Sequence, residues 1–189
     1  MELDKSNTCL MIIDVQKAFN HSKWGQRNNP GAEERITKLL LFWREQHLPI
    51  VHVRHSSDDS RSLFRAKSDT FDFKDEVQPR DGETIITKKV NSAFIGTHLE
   101  EILRSKHVTT LVITGLTLPH CVSTTVRMGN NLGFKIILVS DATASFPLEA
   151  PDGKIIPAEE IQQVEQTILS GEFAELLRSE EVLRIITEA

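Results

Sequence analysis

Short apolar, β-branched runs return along this chain between stretches of helical periodicity, and that alternation restricts the fold more than any other feature. TCLMIID (about 8–14), PIVHVR (about 49–54), ETIITK (about 83–88), TTLVITG (about 109–115) and KIILVSD (about 135–141) each read as a strand. VLRIIT (about 182–187) reads as a sixth. Runs that are apolar on both faces suit strands covered by helices on each side, and hence a parallel sheet. Between them, GAEERITKLLLFWREQH places Ile36, Leu39, Leu40 and Trp43 at helical spacing, behind acids in the first turn. THLEEILRSKH opens with Thr97 three residues before Glu100, the pattern of a capping box. A third helix is expected from Cys121 to about Leu132, stopped by Gly133. PAEEIQQVEQTILSGEFAELLR reads as a fourth helical region, broken in two at Gly171.

Strands alternating with helices predict an open α/β sheet with right-handed crossovers, and the whole span 1–189 reads as one domain. Two stretches lack periodicity: residues 55–82 and 142–157. Long irregular loops in compact domains are usually functional or mobile, so both are expected to rim a pocket.

Composition narrows the function. A net charge of −5, with no basic run, argues against a nucleic-acid partner. No apolar run is long enough to span a membrane, and the N-terminal residues lack the layout of a signal peptide. Cys9 and Cys121 are too few for a disulfide framework. The expectation is a reduced, cytoplasmic protein with a small-molecule partner, in which Cys9, within an apolar run, is a buried thiol.

Ligands of open α/β sheets bind beyond the carboxyl ends of the strands. Three residues at those ends form a working set: Asp14 closes the first run, Lys88 the third, and Cys121 follows the fourth at a helix N-terminus. A carboxylate can take a thiol proton, an ammonium and the positive end of a helix favour a thiolate, and a thiolate attacks acyl carbons. No serine–histidine pair at strand ends offers as complete a set.

At this point the chain resembles the isochorismatase-like cysteine hydrolases along almost its whole length. IIDVQKAF is similar to their first-strand motif, ITKKVNSAFIGTHLEEIL to their lysine motif, and VITGLTLPHCVSTTVRMGNNLGFKIILVSDATASF to their nucleophile motif, in that order. The core of the last is Gly115, Thr117, Cys121, Val122, Thr125 and Arg127, followed by a strand ending at Asp141. The resemblance implies a three-layer α/β/α sandwich around a mainly parallel, six-stranded, Rossmann-like sheet. It implies Asp14 as general base, Lys88 as the group that holds the pair, and Cys121 as the nucleophile that forms a thioester. It also implies a cis peptide between Leu116 and Thr117, with the amides of Thr117 and Cys121 forming an oxyanion hole. A homo-oligomer, dimer or tetramer, is a further implication.

Some relatives, nicotinamidases among them, bind a divalent metal through an aspartate and histidines after the second strand. Here that stretch reads HVRHSSDDSRS, where His52 and His55 would point to opposite faces of a strand and no aspartate–x–histidine occurs. A structural or loop role is expected for these histidines, with no required metal and no cofactor. True isochorismatases cleave a vinyl ether and lack the nucleophilic cysteine, so Cys121 favours hydrolysis of an amide, ureide or carbamate C–N bond. Vinyl-ether cleavage and a non-catalytic scaffold remain the alternatives. Phe19, Phe94 and His120 are candidate substrate contacts; Trp24 and Phe64, in irregular segments, are weaker ones.

Overall fold

The computed structural model describes residues 4–188. Its main sheet has six strands: β1 (Thr8–Ile13), β2 (Ile50–His55), β3 (Thr84–Lys88), β4 (Thr110–Leu116), β5 (Lys135–Ala144) and β8 (Glu175–Leu177). Their order is β3-β2-β1-β4-β5-β8, and every pairing is parallel. The sheet is thus wholly parallel rather than mainly so. Two short strands, β6 (Leu148–Glu149) and β7 (Ile155–Ile156), form a separate antiparallel pair.

Alternation along β1 shows how the apolar runs build layers. Cys9, Met11 and Ile13 face one core, while Leu10 and Ile12 face another. The first core is closed by α2 (Leu99–Ser105) and α3 (Ser123–Asn131), through Leu99, Leu103 and Val126. The second is closed by α1 (Ala32–Glu45) and α5 (Ser179–Glu188), through Ile36, Leu39, Leu40, Trp43, Val182 and Ile186. Each such side chain contributes roughly 1.5–3 kcal/mol on burial. The remaining helix, α4, spans Ala158–Leu169. No described helix is long and apolar enough to cross a membrane.

Three local expectations are corrected. Residues 182–187 lie in α5, not in a strand, because Val182 and Ile186 bury one helical face and Asp141 accepts the Ser179 amide at its start. The sixth strand is instead Glu175–Leu177, inside the segment read as helix, where pairing with β5 overrides local preference. The capping box does not form: His98 occupies the cap of α2, Thr97 Oγ1 donates to the Ala93 carbonyl, and Glu100 pairs with Arg104.

Candidate active site

The carboxyl ends of β1, β3 and β4 bring Asp14, Lys88 and Cys121 together. Asp14 follows β1 with φ 51°, a left-handed conformation that turns the chain sharply, and its amide donates to the Val53 carbonyl. Gln16 then staples this turn to β2 and to the long loop beyond it. Its amide group donates to the carbonyls of His55 and Phe71, and its side-chain oxygen accepts from the His55 amide. Cys121 sits in a π-helical turn (Leu118–Val122) that leads into α3. The Cys121 carbonyl accepts from Thr125 Oγ1, which in turn accepts from the Ala93 amide. The SAF segment of the lysine motif is thereby tied to the nucleophile helix. The Leu116–Thr117 peptide is cis.

Lys88, whose side chain is fully buried, is the hub of the site. Its Nζ lies 2.6 Å from Asp14 Oδ2, 3.1 Å from Cys121 Sγ and 3.4 Å from His55 Nδ1. An ammonium offers three donors and no acceptor, so His55 Nδ1 is the bare nitrogen and its proton sits on Nε2.

The electrostatics follow from burial and these neighbours. Burial pushes the Asp14 carboxyl above its usual range, against the pull of Lys88. Burial alone would lower the Lys88 ammonium, but Asp14 and Cys121 more than offset this and raise it. Burial, reinforced by the Asp14 charge, pushes the Cys121 thiol up to about 12, with Lys88 opposing. With Asp14 ionised, the thiol therefore holds its proton. Burial and Lys88 push His55 down, so it is neutral near pH 7.

A cavity of about 330 Å³ opens above these groups. Around the thiol it is lined by Asp14, His55, Asn91, Thr117 and His120. Asn91 Oδ1 is 4.0 Å from Cys121 Sγ, and Thr117 Oγ1 is 3.1 Å from His120 Nδ1. Phe19, Trp24, Phe64 and Phe146 form its aromatic wall, with the His55 ring edge-on to Phe64. Of the candidate substrate contacts, Phe19 and His120 line this cavity, whereas Phe94 does not. Phe94 is buried in the core against Phe134, because its segment turns inward beneath the site. Trp24, Phe64, His55, Asn91 and Phe146 were missed or underrated, since irregular loops give a sequence no periodicity from which to orient them. Both loops expected to rim a pocket do so.

Asp14, His55 and Cys121 also bring possible metal-ligand atoms within 4.8 Å of one another. The Lys88 ammonium stands among all three and takes the place a cation would occupy. His52 faces the other core and contacts Glu83, while Asp58 and Asp59 pair with Lys89 and Arg61. These residues do not fit a metal centre.

A thiol at the head of a helix, set against a buried carboxylate–ammonium pair at the carboxyl edge of a parallel sheet, marks a cysteine hydrolase. The chain belongs to the isochorismatase family: the Isochorismatase domain matches residues 8–169. The isochorismatase-family protein YrdC of Bacillus subtilis is 49% identical over 174 residues, covering 92% of this chain and 93% of its own. The ureidoacrylate amidohydrolase RutB of Methylobacterium radiotolerans is 32% identical, covering 75% of this chain and 68% of its own. Among solved structures, an isochorismatase-family hydrolase from Chromobacterium violaceum superposes with a TM-score of 0.97 at 36% identity, over 100% of this chain and 98% of that one.

Proposed function

We propose that this hydrolase cleaves the C–N bond of a small amide-type substrate through a thioester on Cys121, within a single domain and without a resident cofactor. One observation carries the reading: Lys88 Nζ touches both Asp14 Oδ2 and Cys121 Sγ. A proton can therefore pass from sulfur to carboxylate while the negative charge that moves the other way stays beside the same ammonium.

Asp14 takes the Cys121 proton as the sulfur attacks the carbonyl carbon. A C–S bond forms and the carbonyl oxygen becomes an oxyanion, for which the Thr117 and Cys121 amides are the proposed donors. Collapse breaks the C–N bond, and the amine leaves with the proton from Asp14. Water then gives a proton to Asp14 as its oxygen attacks the thioester, and collapse releases the acid and restores the thiol. Raised basicity suits Asp14 to both proton transfers. The similarity to RutB, an amidohydrolase by name, supports C–N chemistry. The thiol nucleophile disfavours vinyl-ether cleavage, which has no use for it.

The test is release of ammonia from a panel of small amides, ureides and carbamates, beside Cys121→Ala. Release by the native protein alone, with an acyl adduct on Cys121 visible by mass spectrometry, is expected. Turnover by Cys121→Ala would refute the mechanism.

A further inference from the structure

Lys88 reaches the thiol only by passing over a neighbouring strand. β2 stands between β3 and β1, and the β2 residue in register with Lys88 is His55. Residues in register on adjacent strands point to the same face of the sheet, so the lysine stem runs alongside the imidazole. Whatever occupies position 55 therefore meets the ammonium.

The ammonium has three hydrogens, and three acceptors of different strength surround it. Asp14 Oδ2 is at 2.6 Å, Cys121 Sγ at 3.1 Å and His55 Nδ1 at 3.4 Å. Sulfur is the weak acceptor among them. A buried N–H left without a partner is costly. If position 55 offered no acceptor, the ammonium would shift toward the carboxylate to satisfy its third hydrogen. The contact to sulfur is the one that would lengthen.

The ring is itself held in place. Gln16 accepts from the His55 amide at 2.8 Å and donates to its carbonyl at 3.1 Å. The ring meets Phe64 edge-on at 5.4 Å and 83°. With Nδ1 turned to Lys88, Nε2–H is left for the hydrogen bond to the Val90 backbone. The charged groups that face the ring are Lys88 and Asp14, and burial together with Lys88 keeps it neutral. A carboxylate at this position would compete with Asp14 for the ammonium, and an apolar side chain would offer it nothing. A neutral acceptor does neither.

We infer, building on the thiol mechanism proposed above, that His55 is a positioning residue: its Nδ1 lone pair takes the third hydrogen of Lys88 and so keeps the ammonium against Cys121 Sγ as that sulfur becomes a thiolate. His55 acts through Lys88 and transfers no proton itself.

The experiment compares the native protein with His55→Asn and His55→Leu. Asparagine keeps an oxygen acceptor and an NH2 donor that do not titrate, whereas leucine keeps bulk alone. The first readout needs no substrate: the rate at which iodoacetamide alkylates Cys121 at a fixed alkaline pH, with the buried Cys9 told apart by mass spectrometry. His55→Leu should slow alkylation about tenfold, and His55→Asn should recover it to within about threefold of native. On any amide of the panel that turns over, His55→Leu should lower kcat about tenfold with KM within about twofold. The second readout uses the native protein, so it stands even if a variant fails to fold. Nitrogen-15 NMR of the histidines at pH 7 should show His55 as the neutral Nε2–H tautomer, its signal identified by its loss in His55→Asn. An Nδ1–H or doubly protonated His55 would overturn the inference. So would native-like alkylation in His55→Leu, an equal loss in both variants, or a raised KM with kcat unchanged. Slowed alkylation in His55→Leu, recovered in His55→Asn, with no amide hydrolysed by the native protein, would support the inference and overturn the amide-hydrolase reading.

Discussion

Removing the Lys88 charge tests the site as a folded object, before any substrate is known. The side chains of Lys88 and Asp14 are 0% and 1% exposed and 2.6 Å apart. At an effective dielectric constant of about 20, that separation corresponds to roughly 6 kcal/mol of attraction, offset by the desolvation of both ions. Lys88→Met keeps most of the stem and leaves a buried carboxylate with no counter-ion, so it should destabilise the fold by about 3–5 kcal/mol at pH 7. Asp14→Asn leaves an unpaired ammonium and should cost a similar amount. The double variant removes both charges, so its loss should fall short of the sum of the single losses by about 3 kcal/mol. The pH dependence has a definite sign. Asp14 is already raised, and without Lys88 nothing comparable pulls it down, so its carboxyl rises further. A carboxyl raised in the fold stabilises it once protonated, and that stability is lost as pH climbs through the folded value. The deficit of Lys88→Met should therefore shrink as pH falls below neutrality, whereas the double variant has no Asp14 carboxyl to contribute such a gain. Urea denaturation from pH 5 to 8 measures all four proteins. Additivity within about 0.5 kcal/mol, together with a Lys88→Met deficit that does not change with pH, would refute the coupled pair.

Two other perturbations probe the thiol and the backbone. With Cys121 pushed up to about 12, in part by Asp14, iodoacetamide should label it slowly at pH 7 and faster as pH rises. Asp14→Asn, although expected to lose turnover, should label at least about tenfold faster, because a negative charge beside the sulfur has gone; slower labelling by mass spectrometry would contradict this. At Gly115, φ is +121° and an added Cβ would lie 2.0 Å from the Ile13 carbonyl oxygen. Gly115→Ala should cost more than about 4 kcal/mol or prevent folding, and a thermal transition within a few degrees of the native protein would show that β4 can move away from β1.

How much of this was legible in the sequence depended on what each residue answers to. The five central strands and α1 follow from hydrophobic period alone, because both faces of the sheet are covered and the runs are unbroken. Asp14, Lys88 and Cys121 stand out as polar residues at the ends of apolar runs, where only a ligand site gives them a purpose. α5 was misread because its start depends on Asp141, 38 residues away, whose carboxylate caps Ser179. The aromatic wall could not be read either. Trp24, Phe64 and Phe146 lie in segments without repeat, oriented by contacts such as Asn28 with Ser145 that link positions 117 residues apart. His55 was assigned to structure because only its strand neighbours were in view, not the lysine opposite it.

The strand order explains why that lysine has the side chain it has. β3 is not adjacent to β1: β2 lies between them, with His55 in register with Lys88. Two strand spacings of about 4.8 Å separate the main chain of Lys88 from the strand that ends in Asp14. A short polar side chain on β3 would stop over β2. The long apolar stem of lysine can cross β2 within the core and deliver its charge beyond it. There the charge must meet three unlike acceptors, a carboxylate, a sulfur and an imidazole nitrogen, lying in different directions. A compact ammonium with three donors suits that arrangement, whereas the planar fork of an arginine suits two oxygens in one plane. The two-strand crossing also keeps solvent from the ion pair, and this exclusion raises Asp14 and makes it a better acceptor for the thiol proton. The order of the strands, the identity of residue 88 and the basicity of residue 14 are thus consequences of one packing arrangement.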